Sequence, residues 1–346
     1  MARATLPLHI LAAALMVQTA AAETIPLPQP KPDGGVHTDK PIDKPLPQPA
    51  TTTEPAPLPS ADTVNPDRFG ARPADPAYGA FQRGLYKTAY NLALVRAQNG
   101  DPAAQTLVAE ILSRGLGVPL NAAEAAKWYA LAAEQGVPES QFQYALMLLD
   151  GRYAKKDTKG AYALMQAAAE AGNQLAQFNF AQMLVQQDPG DAGLAKAVSY
   201  YERAATTGLA DAQYAMSQIY ANGVGGKPRD DAQARRLLAQ AARQNYDTAQ
   251  IDLAAWMIEG RGGARDLKSA FGWTRRAAEG GNVAAQNRLA KLYMQGIGTD
   301  PDLVLAGAWY IVARRAGLID PDMDDFLQGL SDDQTKQALQ KANRLP

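Results

Sequence analysis

Cysteine is absent from this 346-residue sequence, and histidine occurs only as His9 and His37. The lack of cysteine excludes disulfide bonds, thiolate nucleophiles and cysteine-based zinc sites. Both histidines precede the repeated part of the chain, so that part has no imidazole for general-base catalysis or metal binding. The sequence therefore favours a non-catalytic protein with no cofactor and no metal. An enzyme that uses carboxylates alone is the least favoured class.

Net charge is also low, at −1, with 34 basic and 35 acidic residues. No overall basic field would attract nucleic acid or anionic lipid, so neither is expected as a partner. Only 7% of the residues are aromatic, whereas 47% are hydrophobic, with alanine dominant. This composition favours one long helical array over two or three compact domains.

Residues 1–22 have the composition of a secretory signal. Arg3 gives a positive start, the stretch from Leu6 to Val17 is apolar, and Ala22 ends a small-residue cleavage pattern. The apolar run is shorter than the ~20 residues of a membrane-spanning helix. We expect cleavage after Ala22, a periplasmic or secreted mature protein and no membrane span after cleavage. Retention as an uncleaved anchor is the alternative.

A proline-rich segment follows at residues 23–75, where the chain from Glu23 to Pro76 holds 14 prolines. Runs this dense in proline cannot form a helix or the centre of a sheet. We expect a disordered linker that acts as a passive spacer. Docking to the aromatic groove of a partner is the alternative.

Beyond Pro76 the sequence repeats with a period of 36 residues, extended once to 37. The six units begin at Gly100, Gly136, Gly172, Gly208, Asn245 and Gly281. Counted from these starts, offset five is always a glutamine that follows a small residue: Gln105, Gln141, Gln177, Gln213, Gln250 and Gln286. A fixed period of this length is typical of a solenoid.

Each unit predicts two helices. The first carries bulky residues at offsets eight and twelve, as at Phe180 and Leu184, which share one helix face. Five of the six first helices are predicted to end at a glycine: Gly115, Gly151, Gly223, Gly260 and Gly296. The second helix ends in an Ala-Ala pair in the first five units. Because a helix pair cannot bury its apolar face alone, neighbouring units are expected to stack.

The unit resembles the Sel1-like repeat, a relative of the tetratricopeptide repeat. The first unit carries the likeness most clearly, in Ala104-Gln105, Gly115-Leu116-Gly117, Trp128-Tyr129 and Ala132-Ala133. The resemblance covers residues 76–317 and implies an all-α solenoid, or superhelix, of six helix pairs. The third unit departs from the pattern after its first helix, and the fourth carries one extra residue.

Both ends of the array are predicted to be caps. The segment before Gly100 has the pattern of a half repeat, and residues 318–346 form a C-terminal helical cap. Ser331 and Gln334 have the spacing of a capping box. Asp320, Asp322 and Asp324 have the spacing of a calcium loop. However, Asp325 replaces the required glycine, so we predict solvated or helix-capping carboxylates.

The resemblance also implies a function. Sel1-like proteins commonly serve the assembly of protein complexes, signalling or envelope polysaccharide production. It therefore implies a periplasmic adaptor or regulator that binds a protein partner of the cell envelope. The alternative is a structural or polysaccharide-binding component of cell-envelope assembly, with envelope polysaccharide as a ligand.

The first helix of each Sel1-like unit is expected to line the concave surface, which places candidate partner-binding residues at offsets six and ten. These are Phe142, Phe178, Tyr214 and Ile251 at offset six, and Glu110, Gln182, Gln218 and Lys291 at offset ten. Aromatic side chains beside polar ones are typical of peptide-binding grooves. Sel1-like repeats often carry an aromatic residue after the glutamine, so packing against the neighbouring unit is the alternative for offset six.

Overall fold

The computed structural model describes residues 75–346, and every regular element within this range is helical. The predicted signal peptide, and the predicted linker up to its last residue, lie outside the described residues. The sixteen helices of the described range are α1 (Pro76–Gln82), α2 (Tyr86–Gln98), α3 (Pro102–Arg114), α4 (Ala122–Glu134), α5 (Pro138–Asp150), α6 (Thr158–Glu170), α7 (Gln174–Gln187), α8 (Asp191–Thr206), α9 (Ala210–Asn222), α10 (Asp231–Arg243), α11 (Asp247–Glu259), α12 (Leu267–Glu279), α13 (Val283–Gln295), α14 (Leu303–Arg315), α15 (Pro321–Gln328) and α16 (Asp332–Ala342).

Six consecutive helix pairs, from α3–α4 to α13–α14, correspond to the six sequence units. Each helix from α1 to α14 packs against the next one in the chain. At the far end, α16 folds back onto α14. The predicted all-α solenoid of six helix pairs is confirmed, with a half repeat of α1 and α2 before it and a helical cap after it.

Short polar side chains start most of the second helices. In five of them, the residue before the helix accepts a hydrogen bond from the backbone N–H three positions later, which satisfies one unpaired donor of the first turn. These residues are Asn121, Asp157, Asp230, Asp266 and Asp302. The exception is α8, which follows Gly190 without a side-chain cap, where the sequence pattern also breaks.

Glycine ends the first helices at the five predicted positions, each in the left-handed region of backbone conformation. A second glycine in the same loop has a different task. In the fifth unit, a Cβ atom added to Gly262 would lie 2.2 Å from the carbonyl oxygen of Asp231 in the preceding second helix. Only glycine therefore permits this close approach between neighbouring repeats.

Alanine and tyrosine have different roles in the packing between helices. The alanines of the Ala-Ala pairs are buried, which lets helix backbones approach closely. Tyr129, Tyr201 and Tyr310 occupy the same position in three second helices, and all three are almost fully buried. In these three repeats, small alanines thus give close contact surfaces and one large side chain fills the space between helices.

The C-terminal cap contains one helix that the sequence pattern did not predict. The capping box at Ser331 and Gln334 is present and opens α16. Before it, the side chain of Asp320 accepts from the backbone N–H of Met323 and starts α15. The carboxylate spacing that is similar to a calcium loop thus includes a helix cap. Within residues 75–346, no helix has the length and hydropathy of a membrane span.

Candidate binding face

Adjacent first helices contact each other through polar side chains. The Thr106 hydroxyl lies 2.8 Å from that of Ser140, which links α3 to α5. The Tyr214 hydroxyl donates to Asp252 at 3.0 Å, which links α9 to α11. We call the surface formed by offsets six, seven and ten of α3, α5, α7, α9, α11 and α13 the first-helix face. All eight candidate binding residues belong to it.

The four candidates at offset six differ in exposure. Phe142 and Ile251 are buried, with 6% and 8% of their surface exposed, and both are part of the hydrophobic core. Phe178 and Tyr214 are half-buried. The Phe178 ring packs against Tyr201 with the ring centroids 5.6 Å apart. Packing thus accounts for Phe142 and Ile251, whereas Phe178 and Tyr214 keep surface that a partner can contact.

Two candidates at offset ten hold polar contacts within the array. Glu110 accepts a hydrogen bond from the Tyr129 hydroxyl at 3.0 Å. Burial of Tyr129 raises the pKa of its phenol, and the charge of Glu110 raises it further. Lys291 forms an ion pair of 2.6 Å with Asp320, and this contact lowers the pKa of that carboxyl. Glu110 and Lys291 therefore stabilise neighbouring elements.

Gln182 occupies the same offset as Glu110 but accepts no hydrogen bond from the buried tyrosine of its repeat. Tyr201 in α8 occupies the position in the third repeat that Tyr129 occupies in α4 of the first. The Tyr201 hydroxyl is buried, and none of the described residues offers it a hydrogen-bond partner. An unpartnered buried hydroxyl costs about 1–3 kcal/mol. The third repeat thus lacks the acceptor that Glu110 provides in the first.

Tyr214 and Gln218 meet a carboxylate between the fourth and fifth repeats. The Asp252 Oδ2 atom accepts from the Tyr214 hydroxyl at 3.0 Å and lies 3.5 Å from the Gln218 amide nitrogen. Burial raises the pKa of Asp252, while the two hydrogen bonds and the charge of Arg288 partly offset that rise. The sequence analysis missed Asp252. Its signal was available, because Asp252 is the sole acidic residue at offset seven in the six units.

The glutamine at offset five has a structural role. Its side-chain amide donates to a backbone carbonyl eight residues earlier, at the end of the preceding second helix, as Gln250 does to Ala242 at 3.0 Å. The same bond recurs in the other five units at 3.2–3.4 Å. It satisfies one of the carbonyls that every helix leaves unpaired at its C-terminus.

The side-chain amide oxygens of these glutamines differ in whether they accept a hydrogen bond. Gln135 donates to the Gln105 oxygen at 2.8 Å, and Gln244 donates to the Gln213 oxygen in the fourth unit at 2.9 Å. In the third and sixth units, the oxygens of Gln177 and Gln286 are buried and have no partner among the described residues. In the first and fourth units the donor is the glutamine that directly follows the second helix, and the residue at this position in the sixth unit is Ala316.

Residues 75–346 contain no group of three or more acidic, histidine or cysteine side chains arranged to hold a metal ion. Two surface hollows are present in the same range. One of about 330 Å³ lies between α14 and the C-terminal cap, lined mainly by apolar atoms of residues such as Ile311, Leu327 and Leu339. The other, of about 320 Å³, lies at the start of α7 beside Asn173 and Leu175. Neither contains residues arranged for catalysis.

A family profile described as "Sel1 repeat" matches six segments of the chain: residues 102–137, 138–173, 175–208, 210–246, 248–282 and 283–318. Two solved structures are similar to the fold. The Sel1 repeat protein from Oxalobacter formigenes has a TM-score of 0.60 at 26% identity, over 72% of this chain and 100% of that one. The Escherichia coli protective antigen c5321, with an SLR fold, has a TM-score of 0.52 at 26% identity, over 74% and 63%.

The similar curated proteins are fungal. Chitin synthase regulatory factor 3 from Schizosaccharomyces pombe is 28% identical over 245 residues, or 68% of this chain. Chitin synthase regulator SKT5 from Saccharomyces cerevisiae is 32% identical over 116 residues, or 33% of this chain. The matched regions make up only 26% and 17% of those longer proteins.

These relatives correct one expectation from the sequence. The predicted periplasmic or secreted location is wrong, because the curated proteins that match are fungal regulators of chitin synthase and not bacterial envelope proteins. That location depended only on the composition of residues 1–22, which lie outside the described range. The comparisons also give no support to an envelope partner or to polysaccharide binding.

Sel1 repeat proteins are protein-interaction scaffolds, and the regulators matched here fit a non-catalytic role. The matched segments are contiguous or nearly so from residue 102 to 318, and each corresponds to one helix pair of the structure. The resemblance noted in the sequence is therefore confirmed, and this chain belongs to the Sel1 repeat family.

Proposed function

We propose that this protein is a regulatory scaffold that binds a partner protein on its first-helix face. The observation that supports this most is the half-buried group of Phe178, Gln182, Tyr214 and Gln218 on two neighbouring first helices. Aromatic rings and amides fixed on rigid helices are typical of protein-binding surfaces, because little conformational entropy is lost when a partner binds.

The similarity to regulators of chitin synthase supports the regulatory part of the proposal. A regulator that is not itself an enzyme acts by binding, and the repeated part of this chain has no histidine or cysteine for catalysis. The chain covers only a part of those regulators, so its own partner has to be identified directly.

Site-specific photo-crosslinking tests the proposal. A photoreactive amino acid at Gln182 samples the first-helix face, and one at Gln240 samples an exposed position on the second helix α10. In cells, we expect a defined partner to crosslink from position 182 and not from position 240. Purified partner should then bind the unmodified chain directly, and Phe178→Ala should weaken binding. Crosslinking of the same partner mainly from position 240 would contradict the proposal.

A further inference from the structure

Asp252 is a half-buried carboxylate without a cation. Its oxygen has two neutral hydrogen-bond donors, Tyr214 and Gln218, and it forms no ion pair with any residue from 75 to 346. The charge of Arg288 acts on it from the next first helix, but Arg288 is exposed and makes no direct contact with Asp252. Removing a carboxylate from water without a counter-charge is costly.

Most other partly buried carboxylates of the described residues form ion pairs, whereas Asp252 and Asp211 do not. Asp231 contacts Arg261 at 2.8 Å and Asp320 contacts Lys291 at 2.6 Å. Asp101 is paired with Arg96 at the N-terminal end of the array. These three carboxylates thus have cationic partners, whereas Asp252 has only neutral hydrogen-bond donors.

Two tyrosine rings pack against each other beside this carboxylate. The ring centroids of Tyr214 and Tyr246 are 5.1 Å apart, with the ring planes inclined by 31°. Burial raises the pKa of Tyr246 to about 12, and the charges of Asp211, Asp247 and Asp252 contribute to the rise. The rings thus lie in a negative potential, and aromatic faces in such a potential attract cations.

We propose that Asp252, Tyr214 and Tyr246 form a recognition site for one basic side chain of the partner protein. A lysine ammonium or an arginine guanidinium would pair with the Asp252 carboxylate and lie against the rings. The inference rests on the proposed function, and it specifies the chemistry of the segment that binds between the fourth and fifth repeats.

The site is tested with short peptides and the full chain. Blocked tetra-arginine and tetra-lysine peptides are titrated by calorimetry at low salt, and a tetra-citrulline peptide serves as the uncharged counterpart of arginine. We expect one or both basic peptides to bind and the citrulline peptide not to bind. Asp252→Asn should weaken the binding by about tenfold or more, as expected when a charge-assisted contact is lost. Tyr246→Leu should weaken it to a smaller extent.

Glu259→Gln is the matched control, because Glu259 is exposed on the same helix and its loss removes the same charge from the surface. We expect this variant to bind the basic peptides almost unchanged. Equal weakening by Asp252→Asn and Glu259→Gln would show that the peptides sense only surface charge, and the site would be rejected. Binding of the citrulline peptide with equal affinity, or no binding of either basic peptide, would also reject it.

Thermal unfolding separates recognition from structure. Asn keeps an oxygen that can accept from Tyr214 and removes a charge that is costly to bury. The midpoint of Asp252→Asn should therefore equal or exceed that of the unmodified chain, whereas a fall of several degrees would identify Asp252 as a structural residue and overturn the proposal. If the partner found by crosslinking binds Asp252→Asn undiminished, this inference fails and the scaffold function stands. If no partner contacts the first-helix face, the scaffold function fails, and the peptide titration still decides whether the site binds cations.

Discussion

Replacing Ala316 by glutamine should stabilise the sixth repeat. The buried oxygen of Gln286 has no partner among the described residues, whereas the equivalent oxygen of Gln105 accepts from Gln135 at 2.8 Å. The backbone of Ala316, with φ −82° and ψ 6°, nearly matches that of Gln135, with φ −85° and ψ 6°. A glutamine at position 316 can therefore reach the oxygen of Gln286 from the same direction.

The expected gain is small but measurable. Pairing a buried oxygen that lacks a partner recovers about 1–3 kcal/mol. Ordering an exposed glutamine side chain opposes this by up to about 1.5 kcal/mol, so we expect a net gain of about 1 kcal/mol. For an array of this size, 1 kcal/mol corresponds to a rise of about 2–4 °C in the unfolding midpoint. Circular dichroism during heating and in urea measures it.

Ala171→Gln is the matched control for this prediction. It places the same residue at the end of α6, opposite Gln141, which is half-buried and is not among the residues with unpartnered buried oxygens. The gain there should be below about 0.5 kcal/mol, because the half-buried side chain of Gln141 is accessible to solvent. Repeat arrays also open locally, so hydrogen exchange should slow in α13 and α14 of Ala316→Gln. Equal midpoint shifts in both variants, or none in either, would refute the reasoning.

Further predictions concern buried polar groups and aromatic rings. Gln182→Glu should raise the unfolding midpoint at neutral pH by giving Tyr201 an acceptor, and the change should disappear when it is combined with Tyr201→Phe. Phe180→Ala should lower the free energy of unfolding by about 3–5 kcal/mol because its ring is buried, whereas Phe178→Ala should lower it by about 1–2 kcal/mol and weaken partner binding. Equal losses of stability in urea unfolding would show that Phe178 is not part of the binding face. Hydrogen bonds from arginines lower the pKa of Asp231 from 3.8 to about 2, so its contribution to stability is complete above pH 4 and is lost as the pH falls towards 2. The midpoints of Asp231→Asn and the unmodified chain should therefore differ at pH 6 and converge near pH 2.

The periodic sequence predicted the fold because each unit repeats residues with the same roles in ending, packing and starting helices. Glycines at 36-residue intervals stop helices, alanines let them approach, and a glutamine after a small residue marks the start of each first helix. The element that escaped prediction, α15, lies where the period ends. It is only eight residues long and depends on the local cap at Asp320. Short helices of this kind carry too few periodic positions to be recognised.

The binding face was harder to predict because one offset serves different purposes in different repeats. Offset six is core at Phe142 and Ile251 but half-exposed at Phe178 and Tyr214. The side chains that neighbouring helices place around each position differ between repeats, and the offset alone does not specify them. The departures from the repeat are more informative than its regular positions. Asp252 is the sole acid at its offset in the six units, and its carboxylate forms no ion pair within residues 75–346, whereas Asp231 and Asp320 do. A residue that departs from the repeat pattern, and whose burial without a counter-charge is costly, marks the position where we expect a functional contact.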